Sequence, residues 1–177
     1  MPDVTLPTLV FRRGDVEADP WTFIGLDGID PLAPLPDGPV AVPLSQWRLQ
    51  RASLCARHGR VGVWLAPDDD PQLLADDFGL LTLVAIRFPK FTDGRGYSTA
   101  VVVRRNGYKG ELRAFGDIGL DQVFYLSRCG FDAFSLKPGL DPGDAARHLR
   151  DFGNTYQAAV DNPLPLFRRR QLARGAA

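Results

Sequence analysis

The sequence of 177 residues has few of the side chains that bind metals or form disulfides. It contains two cysteines, Cys55 and Cys129, and two histidines, His58 and His148, with no Cys-x-x-Cys pair. A structural zinc or iron–sulfur site needs more ligands at closer spacing, so we predict no metal site. We expect both cysteines to stay reduced and unpaired, and the sequence identifies no cofactor.

An excess of either charge and long apolar runs are also missing. The 21 basic and 21 acidic residues give a formal net charge of zero, which does not favour binding to nucleic acid or to a membrane surface. No uninterrupted apolar stretch approaches the roughly 20 residues that span a bilayer. The first residues lack the basic-then-apolar layout of a secretory signal, so we expect a cytoplasmic protein with no nucleic-acid or membrane partner.

Short apolar segments alternate with segments that carry helix-start and helix-stop residues. The predicted strands are Val40–Val42, Val61–Leu65, Leu81–Phe88, Glu111–Phe115 and Phe131–Leu136. The predicted helices are Ser45–His58, a segment beginning at Asp68, Arg95–Asn106, Gly119–Cys129 and Asp141–Asn154. This alternation predicts an α/β fold with a mainly parallel sheet of about five strands flanked by helices. We favour an open sheet, because a complete eight-fold barrel needs about 250 residues; a piece of a barrel is the alternative.

Residues 1–38 are predicted to form an appendage to this domain. Leu9–Arg13 and Trp21–Gly25 have the pattern of short strands, and the turn residues between them predict a β-hairpin. Residues 27–39 are rich in proline and glycine, which is typical of a linker.

The end of the chain differs in composition from the α/β domain, which we expect to span residues 39–157. Residues 158–177 contain a basic cluster formed by Arg168, Arg169, Arg170 and Arg174. We expect a flexible, solvated tail, since basic runs often merely solvate a chain end. A nucleic-acid arm is the alternative.

Two polar, glycine-containing loops accompany the ends of predicted strands. The first is Arg87–Ser98, Arg-Phe-Pro-Lys-Phe-Thr-Asp-Gly-Arg-Gly-Tyr-Ser. The second is Arg113–Gln122, Arg-Ala-Phe-Gly-Asp-Ile-Gly-Leu-Asp-Gln. Parallel strands place their carboxyl ends at one edge of a sheet, where ligands bind in open α/β folds. The two loops together are the predicted functional site.

The candidate anion-binding residues are the cationic and hydrogen-bonding side chains of these loops: Lys90, Arg95, Tyr97, Arg113 and Gln122. Gly94 and Gly96 would expose backbone N–H groups at a helix start, where sulfite, sulfate or phosphate groups would fit. Asp93 and Asp117 are the candidate catalytic pair, because neighbouring strand ends could bring two carboxylates together for acid–base work.

Helix capping explains several of the same residues without a ligand. Asp93 would cap the first helix while Arg95 pairs with an acid, and Asp117 and Asp121 would stabilise the start of the next helix. Both interpretations stay open. The segment is no dinucleotide fingerprint, since the third glycine is missing, and it is no Walker loop.

The remaining reactive and aromatic side chains are assigned to packing. Cys129 ends a predicted helix, and the negative end of the helix dipole disfavours a thiolate, so we expect a buried structural cysteine. The phenylalanines of this region are expected to lie mostly in the core: Phe88, Phe91, Phe115, Phe124, Phe131 and Phe134.

Three segments resemble a known bacterial family: Phe88–Ser98, Gly107–Ala114 (Gly-Tyr-Lys-Gly-Glu-Leu-Arg-Ala) and Arg128–Phe134 (Arg-Cys-Gly-Phe-Asp-Ala-Phe). The resemblance covers residues 38–157. The family consists of uncharacterised proteins described as probable oxidoreductases of sulfite reduction, and its members are typically encoded beside the assimilatory sulfite reductase. In this sequence Leu120 stands where the family pattern has an arginine.

The resemblance implies a role in sulfate assimilation but supplies no mechanism. We expect a cytoplasmic protein that assists sulfite reduction and binds a small anion in a cleft at the strand ends. The alternative is a non-catalytic accessory or assembly protein that docks on the sulfite reductase. Whether the chain is itself an enzyme stays open at this point.

Overall fold

A computed structural model describes residues 7–26, 34–150 and 154–175 of the chain. The strands are β1 (Leu9–Arg12), β2 (Asp15–Ala18), β3 (Thr22–Phe23), β4 (Val40–Pro43), β5 (Val61–Leu65), β6 (Leu83–Phe88), β7 (Glu111–Gly116) and β8 (Ala133–Ser135). The helices are α1 (Leu44–Ala56), α2 (Arg95–Arg105), α3 (Leu120–Arg128), α4 (Ala145–His148) and α5 (Leu166–Gly175), with 3₁₀ helices at Pro71–Asp77 and Pro142–Asp144. Residues 27–33 of the predicted linker and 151–153 of the predicted last helix lie outside the described residues.

The strands form one sheet in the order β2-β1-β8-β7-β6-β5-β4-β3. Strands β3 to β8 run parallel, whereas β1 is antiparallel to both β2 and β8. The sheet is mostly parallel, as predicted, but it has eight strands instead of about five. The difference arises because the N-terminal segment adds strands to both edges.

The N-terminal hairpin uses different strands from those predicted. β1 pairs with β2 across a tight turn at Arg13 and Gly14, which have φ angles of 50° and 111°. Positive φ at both turn residues suits a two-residue hairpin. Thr22–Phe23, predicted as the second hairpin strand, pairs instead with β4 at the opposite edge. The prediction of a Leu9–Arg13 and Trp21–Gly25 hairpin is therefore wrong, because the chain already reverses at Arg13.

The sheet curls strongly. β2 and β3 occupy opposite ends of the strand order, although only residues 19–21 separate them along the chain. The ring of Phe23 on β3 lies 5.0 Å from the ring of Phe115 on β7. In a flat sheet four strand spacings would separate these strands by about 19 Å. The expected open sheet is thus a curled sheet with an inner and an outer face.

Helices α1 to α4 cover the outer face. Strands β4 to β8 follow one another in chain order, and right-handed crossovers then place the intervening helices on one side. Val63 and Val84 face this side and belong to the same core as Trp47 of α1 and Val123 of α3. None of the described helices is long and apolar enough to cross a membrane.

The inner face has its own apolar cluster. It contains Phe23, Trp64, Leu83, Ala85 and Phe115, contributed by strands from β3 to β7. Alternation along each strand separates these residues from the helix-facing ones. The curl therefore creates a second interior, lined mainly by strand residues.

The C-terminal segment packs against α3 before it forms α5. The N–H of Val160 donates to the carbonyl of Arg128 at 3.1 Å. The Arg128 guanidinium donates to Thr155 Oγ1 at 2.6 Å and to the carbonyl of Gln157 at 2.6 Å. Residues 158–177 were expected to form a flexible tail. In the part that the structure describes, Val160 is hydrogen-bonded to α3 and residues 166–175 form α5.

Candidate functional site

Asp93 and Arg95 are joined at the start of α2. The carboxylate of Asp93 accepts from the backbone N–H of Arg95 at 3.2 Å and from its guanidinium at 2.7 and 3.0 Å. The same guanidinium also pairs with Asp68. Two carboxylates therefore pair with the single positive charge of Arg95, whose side chain is 54% exposed. This geometry fits the capping interpretation of Asp93 and leaves Arg95 with bound anionic partners from the chain itself.

Arg95 also strengthens the acidity of Asp93. Hydrogen bonds from the Arg95 side chain hold the pKa of Asp93 below its ordinary value. The carboxyl group is therefore ionised at neutral pH and is an acceptor there.

Replacing Arg95 with glutamine is expected to raise the pKa of Asp93 toward the ordinary value of about 3.9. Since the folded-state pKa is depressed, the pair stabilises the fold above the unfolded-state pKa, and this contribution disappears as pH falls through the folded-state pKa. Titration of the Asp93 carboxyl carbon by NMR measures the change. An unchanged midpoint would show that Arg95 does not hold Asp93.

Gly96 lets α2 approach β6 closely. A Cβ at this position would lie 2.5 Å from the ring of Phe88, so the glycine is required by packing. The ring of Tyr97 lies between those of Phe88 and Tyr125, at 5.3 and 5.1 Å between centroids. Burial raises the pKa of the Tyr97 hydroxyl.

Asp117 and Gln122 hold the tip of the first loop. Asp117 Oδ2 accepts from the backbone N–H of Phe91 at 3.1 Å, and Gln122 Nε2 donates to the carbonyl of Phe91 at 3.3 Å. Gln122 Nε2 also donates to the hydroxyl of Tyr97 at 3.1 Å. Both backbone polar groups of Phe91 are thus fixed by side chains from the second loop and α3.

Phe91 itself is exposed. Its side chain is 66% accessible, so the expectation that it belongs to the core is wrong for this residue. It follows β6 by three positions and sits in a loop, where the alternation of the strand no longer applies. The neighbouring Lys90 is exposed as well, and its ammonium forms no ion pair or hydrogen bond within the described parts of the chain.

Arg113 does not join these loop residues. It lies in the middle of β7, fully buried on the inner face, and donates to Glu111 Oε1 at 2.6 and 2.8 Å and to Asp19 Oδ2 at 2.6 Å. Its guanidinium carbon lies 5.9 Å from the centre of the Phe23 ring. Arg12 reaches the other oxygen of Glu111 at 3.2 Å. The predicted convergence of Arg113 with Arg95 is therefore wrong, because strand alternation directs Arg113 to a buried ion network.

One part of this buried ion network is visible in the sequence. Glu111 and Arg113 are two residues apart, and positions i and i+2 of a strand share a face. Their partners Asp19 and Arg12 come from the N-terminal segment, whose strand pairing the sequence did not reveal. The buried ion network was not predicted because it joins residues that are far apart in the sequence.

A cleft of about 720 Å³ lies between α2, α3 and the segment before α5. Its lining includes Val101, Tyr125, Cys129 and Val160. Burial raises the pKa of the Cys129 thiol, so the reactive thiolate form is disfavoured at neutral pH. Within residues 7–26, 34–150 and 154–175, no group of three or more His, Cys, Asp or Glu side chains could hold a metal ion.

These features define an α/β protein whose curled, mainly parallel sheet carries charged and aromatic loops at its carboxyl end. A family model matches residues 62–167, which is more than half of the chain. The chain belongs to this family, described as a bacterial protein of unknown function (DUF934). No curated protein matches the sequence. The match confirms the resemblance to an uncharacterised bacterial family.

Proposed function

We propose that the chain serves sulfite reduction as an accessory protein that docks on the assimilatory sulfite reductase. The docking element is the loop tip at Phe91. One observation carries this proposal. The Phe91 ring is exposed, while side chains of Asp117 and Gln122 hold the backbone N–H and carbonyl of the same residue.

A held aromatic ring is well suited to binding a protein surface. Aromatic anchors dominate the energy of many interfaces, and an ordered loop loses little conformational entropy on binding. Gln122 also donates to the Tyr97 hydroxyl; the Tyr97 ring lies 5.1 Å from that of Tyr125 at an angle of 54°, and Tyr125 is 58% exposed. Phe91 and Tyr125 are thus two exposed aromatic side chains linked through Gln122 and Tyr97.

The charges of the loops favour docking over a preformed anion cleft made of the same residues. Arg95 already has two carboxylate partners, and Lys137 Nζ lies 3.8 Å from Asp117 Oδ1. An anion at Arg95 would have to compete with carboxylates that are covalently part of the chain. Catalysis by Asp93 and Asp117 stays a prediction.

The choice of partner rests on the sequence resemblance. Members of the resembled family are typically encoded beside the assimilatory sulfite reductase, and proteins that act together are often encoded together. The proposal implies a cytoplasmic location and a role in sulfate assimilation. It requires no cofactor on the chain itself.

Replacing Phe91 with alanine is expected to weaken binding to the sulfite reductase by roughly 30-fold, since truncation of an interface anchor typically costs about 2 kcal/mol or more. The measurement is the Kd between the two purified proteins. Phe167 provides the matched control, because it is the same residue type, 50% exposed, and lies on α5.

Phe167→Ala should bind as the wild-type chain does. Equal Kd values for the wild-type chain and Phe91→Ala would contradict the docking role of this loop. Absence of any complex between the wild-type chain and the reductase would contradict the choice of partner.

A further inference from the structure

We propose that the cleft between α2, α3 and the segment before α5 binds a small organic anion with an apolar, aromatic body and a single acidic group. Arg105 binds the acidic group, and Tyr125 lies against the body. The proposal does not depend on the docking role of Phe91. Inorganic ions, which lack an apolar body, are outside the ligand class.

The cleft has the size and the lining of a small-molecule site. Its volume is about 720 Å³, and sites for such ligands typically measure roughly 300–1,000 Å³. Val101, Val160 and Pro163 give it apolar walls, and Tyr125, which is 58% exposed, offers an aromatic ring. Aromatic rings attract one another in offset-stacked or edge-to-face contacts, so this lining favours a ligand with an aromatic body.

The segment that closes the cleft is held by α3. The N–H of Val160 donates to the carbonyl of Arg128 at 3.1 Å, and the Arg128 guanidinium donates to the carbonyl of Gln157 at 2.6 Å. Gly130 lets the walls approach each other, because a Cβ there would lie 2.7 Å from Arg104 Cγ and 3.0 Å from Val160 Cγ1. The cleft is thus formed by the chain itself, and a preformed site has little ordering to lose on binding.

The lining carries three arginines and no acidic residue: Arg104, Arg105 and Arg128. Arg104 donates to three backbone carbonyls and pairs with Asp132 at 3.4 Å. Arg128 pairs with Asp161 at 3.2 Å. Arg105 is exposed and forms no ion pair with a carboxylate of residues 7–26, 34–150 or 154–175. The charge and the N–H donors of Arg105 are therefore free for a ligand.

Arg105 selects the acidic group of the ligand. Guanidinium N–H groups can only donate, and their forked geometry matches two oxygens of a carboxylate or sulfonate. Arg105 ends α2, so the negative end of the helix dipole lies nearby and weakens the attraction for an anion. The apolar body must therefore supply most of the affinity, and the acidic group adds specificity.

The test uses two fluorescent probes with one aromatic skeleton. Anilinonaphthalene sulfonate is the anionic probe, and phenylnaphthylamine is its neutral counterpart. We expect the folded full chain to bind both. Arg105→Gln should raise the Kd of the anionic probe roughly three- to fivefold and leave that of the neutral probe unchanged, since exposed charge pairs contribute modestly. Arg170→Gln is the matched control, because it removes an exposed arginine from α5, outside the cleft.

Filling the cleft tests its position independently of charge. Ala158 lines the cleft and is exposed, so a tryptophan there occupies the space without entering the core. Ala158→Trp should weaken binding of both probes by about tenfold or more, because the apolar body loses its contacts with the walls. Ala173→Trp, at an exposed position of α5, should bind both probes as the wild-type chain does. All four substituted positions are exposed, so we expect the probe-free variants to unfold at the wild-type Tm.

The proposal makes the cleft the place where the probes bind. No binding of the anionic probe to the folded wild-type chain would overturn it. Equal affinities of the wild-type chain and Ala158→Trp would do the same, since the probes would then lie on another surface. An unchanged Kd of the anionic probe in Arg105→Gln, or an equal loss for both probes, would overturn the assignment of Arg105 to the acidic group.

Discussion

Replacing Arg113 with methionine is expected to lower the free energy of unfolding by about 3–5 kcal/mol, because removing one partner of a buried ion pair leaves the other charge uncompensated. Arg113 is fully buried and holds Glu111 and Asp19 by three hydrogen bonds of 2.6–2.8 Å. Asp19 would lose its cationic partner, and Glu111 would keep only the longer contact from Arg12 among these groups.

Urea unfolding measures this loss as a shift in midpoint. Arg95→Met is the matched control, since it removes the same charge from a half-exposed site and should change stability by less than about 1 kcal/mol. A similarly small change for Arg113→Met would contradict the assignment of Arg113 to the buried network.

Replacing Gly116 with alanine is expected to destabilise the fold by about 2–5 kcal/mol, through backbone strain and overpacking together. Gly116 has a φ angle of 110°, and a Cβ would lie 3.0 Å from the carbonyl carbon of Phe88 and overlap its oxygen. That oxygen accepts the N–H of Asp117 at 2.8 Å. The clash would therefore also disturb the residue that holds Phe91.

Gly139→Ala is the control for Gly116→Ala. Gly139 has a comparable φ angle of 88°, but a Cβ there would meet nothing within 4 Å. The control should show the conformational cost alone, about 1–2 kcal/mol. Equal losses in the two variants would show that the contact between positions 116 and 88 is not limiting.

The central elements of the fold are local enough to be predicted. Val61–Leu65 is the strand predicted from its apolar run, and α2 begins at Arg95 as predicted. The segment expected as a helix from Asp68 is a 3₁₀ helix, Pro71–Asp77, capped by Asp70. These features depend on neighbouring residues, so composition and caps suffice to locate them.

The curl and the edge strands could not be predicted in the same way. They depend on pairings between β1 and β8 and between β3 and β4, which join distant parts of the chain. The buried network follows from these pairings, since Asp19 reaches Arg113 only when the sheet curls. Sequence reasoning therefore found the loops but misplaced Arg113.

The sequence predicts ligand-binding or catalytic roles for Asp117 and Gln122, whereas in the structure they hold the loop at Phe91. Asp117 and Gln122 lie at the carboxyl end of β7 and the start of α3, where polar residues were expected to bind a ligand. Their partners are the backbone groups of Phe91. A sequence shows which side chains can form hydrogen bonds, but the loop conformation decides what they bind.

The most direct measurement of the docking proposal is a photo-cross-link from position 91 inside the cell. A benzophenone amino acid would replace Phe91 in one chain and Phe167 in another, since both positions are exposed. We predict that irradiation joins the chain substituted at 91 to the sulfite reductase, identified by its peptides, and that position 167 gives no such adduct. No reductase adduct from position 91, or equal yields from both positions, would contradict the proposal.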